Sequence, residues 1–321
     1  MRTLQVEYAF MSETAILWTL FNVFVLGMLA LDLGVFHRKS EVITVKDALM
    51  WTGIWITLAM AFNLFVYFYF GKQPAIEFFT GYIIEKSLSV DNIFVIILIF
   101  SYFHVPPEYQ HKVLFWGILG ALVMRVTFIL TGIELIHRFH WLIYIFGVFL
   151  VVTGVRMIFG GDTKIDPEKN PMVNLARRVF PITPKFEGDH FFVRKSGRLW
   201  ATPLFLVVLL IETTDLIFAV DSIPAILAIT DDSFIVYTSN VFAILGLRSL
   251  YFALSGIEKY FHYLKYGLAG ILIFVGLKMS LADYFKVPIE ISLLVILLFL
   301  VLSIVASLLF PQKKEDEHPA V

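Results

Sequence analysis

Two short stretches place acids inside runs that should carry none. Glu85 to Asn92 reads Glu-Lys-Ser-Leu-Ser-Val-Asp-Asn within an apolar run from Ile76 to Phe103. Asp215 to Ser222 reads Asp-Leu-Ile-Phe-Ala-Val-Asp-Ser within a second long apolar run. In both, a carboxylate is followed six residues later by Asp and then by a small amide or hydroxyl residue. Charge at mid-bilayer is costly, and such residues usually serve ion or proton movement. On a helix, residues three, four and seven apart share a face. Glu85, Ser89 and Asn92 form one such set, and Glu212, Asp215 and Ser222 form another, while Asp91 and Asp221 are offset.

The candidate ligands Glu85, Asp91, Asn92, Glu212, Asp215, Asp221 and Ser222 all offer oxygen. Oxygen-rich sites suit Mg²⁺, Ca²⁺ and Mn²⁺ rather than soft metals. The chain has no cysteine, which removes thiolate sites, and its eight histidines lie toward span ends or in loops. Counting Lys86, Arg125 and Arg248 as counter-charges to the five acids leaves two negative charges, which a divalent cation would neutralise. A proton or monovalent-ion pathway stays open, as does a structural role in which these acids only pair with the bases to join helices. Ser89 and Asp32 are possible accessory groups, although Asp32 also reads as an end-of-helix acid. His140 and His262 read as interfacial anchors. Pro224 cannot donate to the carbonyl of Val220, so a helix break is expected there, and the released carbonyls could join the ligand set.

The elements that must hold these groups follow from composition. Of 321 residues, 59% are hydrophobic and 16% charged, against about 45–50% and 25% in soluble domains. The excess falls in blocks near the length that crosses a bilayer. An all-α polytopic membrane protein with about nine spans is expected, in contact with the lipid bilayer. Residues 1–14 form a tail without the features of a cleaved signal peptide. Residues 15–70 hold two accessory spans, 76–159 three, and 160–199 a Pro-punctuated linker. Residues 202–284 hold three more spans, 289–310 the last, and 311–321 a polar tail. Fifteen basic residues fall in connections on one side against four on the other, and seven against four without the long linker. That bias predicts the N-terminus outside and the C-terminus in the cytoplasm. A net charge of −1 points to no nucleic-acid partner; oligomeric state is not legible.

The two charged helices belong to a longer internal match. Ile118-Leu119-Gly120 is echoed by Ile244-Leu245-Gly246, each followed by a mid-span arginine. Thr131 to Glu134 is echoed by Ser255 to Glu258, Phe139-His140 by Phe261-His262, and Gly154 to Met157 by Gly276 to Met279. Three spans per unit is odd, so the second copy enters from the opposite side. Two inverted three-helix repeats result, a plan that places binding at the repeat interface near the midplane. No phosphate-cradling loop, nucleophile elbow or zinc-protease motif occurs, so no enzyme activity and no prosthetic group are expected.

Glu85-Lys-Ser-Leu-Ser-Val-Asp-Asn, Glu212-Thr-Thr-Asp215 and Phe218 to Ile226 together make the chain resemble the TerC family, within the LysE exporter superfamily. Leu-Asp-Leu in the first span and His190-Phe-Phe-Val-Arg before the sixth extend the match, and the pattern is most similar to the Alx branch of bacterial inner-membrane proteins. The resemblance implies export of Mn²⁺ from the cytoplasm by the acids Glu85, Asp91, Glu212, Asp215 and Asp221, with Asn92 and Ser222 auxiliary. It also leaves open transport of another cation or solute, or a non-transport role in metal loading or assembly of exported proteins.

Overall fold

The computed structural model describes residues 15–30, 44–139, 141–159, 170–195, 197–255, 263–281, 284–285 and 287–310. The side chains of Asp91, His137, Val220 and Asp221 lie outside that description, as do Asp32, His140, His262 and both tails. The chain divides into two compact units, residues 1–43 and 44–321.

In the first unit a single apolar helix, α1 (Ala15–Ala30), is described. Its polar side chains turn back on their own backbone: Thr19 Oγ1 donates to the Ala15 carbonyl and Asn22 Nδ2 to the Trp18 carbonyl, each at 2.8 Å. Such local bonds let a polar residue sit in an apolar helix.

The second unit is helical apart from one hairpin. In chain order it holds α2 (Val45–Phe70), α3 (Lys72–Phe103), α4 (Pro107–Arg138), α5 (Leu142–Phe159), α6 (Pro171–Val179), α7 (Pro203–Leu227), α8 (Ser233–Ile244), α9 (Leu247–Leu254), α10 (Leu264–Ser280) and α11 (Ile289–Leu309). The starts carry their signals. Thr44 caps α2 and Asp232 caps α8, where Asp232 Oδ1 accepts from the amides of Phe234 and Ile235. Pro stands in the first turn of α4, α6 and α7. Among the described residues, six segments are long and apolar enough to cross a bilayer: α2, α4, α5, α7, α8–α9 taken together, and α11. The exposed Leu294, Leu298, Val301, Leu302 and Val305 of α11 form a surface suited to lipid.

α3 is the hub, packing on α2, α7 and α8, while α4 packs on α7 and α8, and α5 on α10. Small residues set the closest approach. A methyl at Gly276 would stand 2.6 Å from the Gly147 carbonyl oxygen, and one at Gly154 would stand 2.7 Å from that of Ala269. Only missing side chains let these backbones meet, as in membrane helix pairs generally.

One expectation changes: α7 runs unbroken through Pro224 and ends three residues later, at Leu227. The proline falls in the last turn, where the chain is already leaving the helix, and its own carbonyl still accepts from Ala228 N at 3.0 Å. The interruption lies instead in the next span, at Leu245-Gly246, between α8 and α9. The described part of the 160–199 linker carries local structure of its own. Asn170 caps α6, with its Oδ1 accepting from Met172 N and Val173 N. Strands β1 (Phe192–Lys195) and β2 (Arg198–Ala201) then pair antiparallel, with Phe192 opposite Ala201 and Lys195 opposite Arg198. Lys112 of α4 ties to this segment through Asp189 at 2.8 Å. The Lys112 hydrogen bond holds the Asp189 carboxyl below the usual carboxylate range.

Candidate ion-binding site

Four helices bring polar side chains to one buried point. α3 contributes Glu85 and Asn92, α4 Arg125, α7 Asp215 and Ser222, and α8 Asn240. Glu85 and Asn240 are fully buried, and Arg125 and Ser222 are each 2% exposed. The guanidinium of Arg125 is the centre of the group. Its Nη1 donates to Glu85 Oε1, to Ser222 Oγ at 3.2 Å and to Asn240 Oδ1 at 3.3 Å. Its Nη2 reaches Asp215 Oδ1 at 3.5 Å. Asn240 Nδ2 donates to the second Glu85 oxygen at 3.1 Å, and Asn92 Nδ2 donates to Asp215 Oδ1 at 3.3 Å.

A buried charge requires a partner and filled hydrogen-bonding capacity. Glu85 has both. Asp215 is less well served: its Oδ2 is buried with no partner among the described residues, and neither Ser89 Oγ nor Arg125 Nε has one. Ser89 lies one turn beyond Glu85 and is itself fully buried. Beside Asp215 lies a cavity of about 40 Å³, lined by Asn92, Thr214, Asp215 and Arg248 and otherwise mainly by apolar side chains reaching Tyr251. That is enough room for a water molecule or a small ion.

The structure thus gathers Glu85, Asn92, Asp215 and Ser222 from the sequence-predicted ligands, with Arg125 as their cation. Glu212 stands off, its carboxylate pressed against Gly120 of α4, where any side chain would collide with it. The side chains of Asp91 and Asp221 belong to the undescribed set, and among the described residues no three of His, Asp and Glu converge in a metal-holding group. The ammonium of Lys86, one of the expected counter-charges, donates to the Ala243 carbonyl at 3.1 Å, at the end of α8. Arg248 is buried and lines the cavity. Asn240 was missed by sequence reasoning. The signal was present in Thr238-Ser239-Asn240, three polar residues in an apolar span and all fully buried, but Asn240 has no counterpart in the repeat.

In chemical terms the site offers carboxylate, amide and hydroxyl oxygens at the crossing of α3 and α7, with one permanent cation, Arg125, between two of the acids. It contains no thiol and no described imidazole, and oxygen donors of this kind suit hard rather than soft cations.

Comparison with known proteins shows the family. The model of the TerC family of integral membrane proteins matches residues 70–315. An uncharacterised membrane protein of Myxococcus xanthus is 54% identical over 293 residues, covering 91% of this chain and 92% of its own. The Escherichia coli (strain K12) protein named "Putative membrane-bound redox modulator Alx" is 47% identical over 301 residues, covering 91% and 94%. An uncharacterised membrane protein of Rickettsia bellii is 44% identical over 292 residues, covering 91% and 97%. No solved structure matches. With its charged helices, buried polar crossing and near full-length likeness to these proteins, the chain belongs to the TerC family of multi-pass integral membrane proteins.

Proposed function

We propose that this protein exports a hard divalent cation, Mn²⁺, across the bacterial inner membrane, with its N-terminus outside and its C-terminus in the cytoplasm. The ion is held between α3 and α7 by Glu85, Asp91, Asn92, Glu212, Asp215, Asp221 and Ser222. Two inverted repeats, α3–α5 and α7–α10, rock around it. The observation that carries this reading is the convergence of Glu85, Asn92, Asp215 and Ser222, far apart in sequence, at one buried crossing.

Helix packing supports the duplication. Exchanging the two units turns the α3–α8 contact into the α7–α4 contact, and both are present, while α5–α10 maps onto itself. The same exchange, with Gly154 equivalent to Gly276, makes Gly147 equivalent to Ala269. The close approach of Gly147 to Gly276 then maps onto that of Gly154 to Ala269, also present.

The relatives named for redox modulation suggest a link to redox balance. A chain without cysteine cannot run thiol–disulfide exchange; under this proposal any such link passes through the ion.

Flux from proteoliposomes holding the purified protein, with Mn²⁺, Mg²⁺ and Ca²⁺ compared, tests the reading. Mn²⁺ should move, and Asp91→Ala, Asp221→Ala or Asp215→Asn should stop it in protein that inserts normally. Normal flux in all three variants removes these positions from the ligand set. Absence of flux for every cation, with a stoichiometric partner co-purifying, favours a role in assembly instead. Because the chain has no cysteine, single introduced cysteines at residues 5 and 318 would report the orientation of both tails by labelling.

A further inference from the structure

Arg125 holds the oxygens that a bound cation would need. Its guanidinium is bonded to Glu85, Ser222 and Asp215, three of the ligands proposed above, and to Asn240, which is bonded to Glu85 in turn. A guanidinium cannot shed its charge in a protein. A divalent ion within a few ångströms of it, away from water, would be strongly repelled. Cation and guanidinium therefore compete for the same carboxylate oxygens, and where an oxygen is shared one must yield.

The geometry indicates where it yields. The cavity is lined by Asp215, Asn92 and, on α9, Arg248, but not by Glu85 or Arg125, so Asp215 is the first carboxylate of the cluster that an ion entering it meets. Asp215 is also the looser partner, held at 3.5 Å with its Oδ2 unpartnered. Glu85 is clamped on both oxygens, by Arg125 and by Asn240. Ser89 Oγ, buried and unpartnered one turn from Glu85, is a further oxygen in reserve.

We propose that Arg125 is a tethered counter-ion of the transport cycle: it occupies the carboxylates when the site is empty, releases Asp215 to the arriving cation, and returns when the cation leaves. The proposal rests on the transport reading above and adds the means by which an empty carrier resets. A carboxylate cluster stripped of its cargo would be charged and costly to carry through the membrane interior; with Arg125 seated on Glu85 and Asp215, part of that charge is offset. Glu85 keeps Arg125 tethered through Oε1 while its Oε2, bonded to Asn240 in the empty site, stays available as a ligand, so the switch is confined to the Asp215 side.

Exchange and net efflux separate this role from a merely structural one. Exchange of Mn²⁺ for Mn²⁺ never needs the empty carrier to reorient, whereas net efflux does. In Arg125→Gln, purified protein should bind Mn²⁺ about tenfold more tightly or better, because an internal competitor taxes apparent affinity. Exchange should persist, and net efflux should fall at least as far. Arg125→Lys keeps the charge but loses the fork, and should recover part of the net efflux. If Arg125→Gln is folded and loses binding, exchange and net efflux together, or keeps normal net efflux, the proposal is overturned. Should Arg125→Gln not fold, Arg125→Lys decides alone: a net-to-exchange ratio equal to that of the native protein overturns it, and a lowered ratio supports it. A native protein that neither binds nor exchanges any divalent cation removes the transport reading itself.

Discussion

Lys86 places its ammonium 3.1 Å from the carbonyl oxygen of Ala243, one residue before the end of α8. An unbroken helix would use that carbonyl for the amide four residues on, but the break at Leu245-Gly246 interrupts the ladder. The lysine supplies a donor there, and its positive charge suits a helix C-terminus. Lys86→Met keeps the length of the side chain and removes the donor. It should lower stability by about 1–3 kcal/mol, the cost of a buried acceptor left unmade. Thermal unfolding in detergent or nanodiscs measures this, and an unchanged midpoint would show that the carbonyl finds another donor.

Gly246 combines a left-handed backbone, φ +81°, with the side chain of Trp55 against its α-carbon; a methyl there would stand 2.7 Å from two carbons of the indole. Gly246→Ala should lose about 1–2 kcal/mol from the backbone alone, with the collision added to it. A second change, Trp55→Ala, should relieve the collision but not the backbone part. A double-mutant cycle of unfolding midpoints separates the two, and purely additive losses would show that the ring moves aside without cost.

Gly276 and Gly154 should each resist enlargement, because the obstacles are carbonyl oxygens of the facing helix rather than mobile side-chain ends. Gly276→Ala or Gly154→Ala should cost about 1–3 kcal/mol by forcing α5 and α10 apart. Gly53, which has open space around it, is the control: Gly53→Ala should leave stability unchanged or slightly higher. Equal midpoints for all three variants would contradict the close approach described here.

Asp189 gives a pH dependence of known sign. The Lys112 hydrogen bond lowers its pKa in the folded state relative to the unfolded chain. Its contribution is therefore present above the ordinary carboxylate value of about 3.9 and disappears as pH falls through the lower folded value. The pair is largely exposed, so the effect is small and salt-sensitive. Asp189→Asn should lower stability slightly at neutral pH and converge with the native protein at low pH. A difference that persists in acid would point to a packing role for this side chain.

Much of the architecture was legible in the order of residues. Apolar blocks of bilayer length announce a membrane protein, and the helical period alone puts Glu85, Ser89 and Asn92 on one face, which is buried as expected. These properties are local, since rise and rotation per residue are fixed by the backbone. Partner choice is not local. Lys86 and Arg125 are both mid-span bases, and nothing in their spacing reveals that one caps α8 while the other gathers the acids. That depends on how each helix is rotated about its axis and where it crosses its neighbours. Ile-Leu-Gly occurs at 118–120 within unbroken α4 and at 244–246 across the gap between α8 and α9. The same three residues have opposite outcomes because Gly120 makes room for Glu212 of α7, whereas Gly246 takes a left-handed turn against Trp55 of α2. Sequence determined the solvent, the helices and the supply of charge. Tertiary packing decided which charges meet, because contact energies between distant segments exist only once the helices have been brought together.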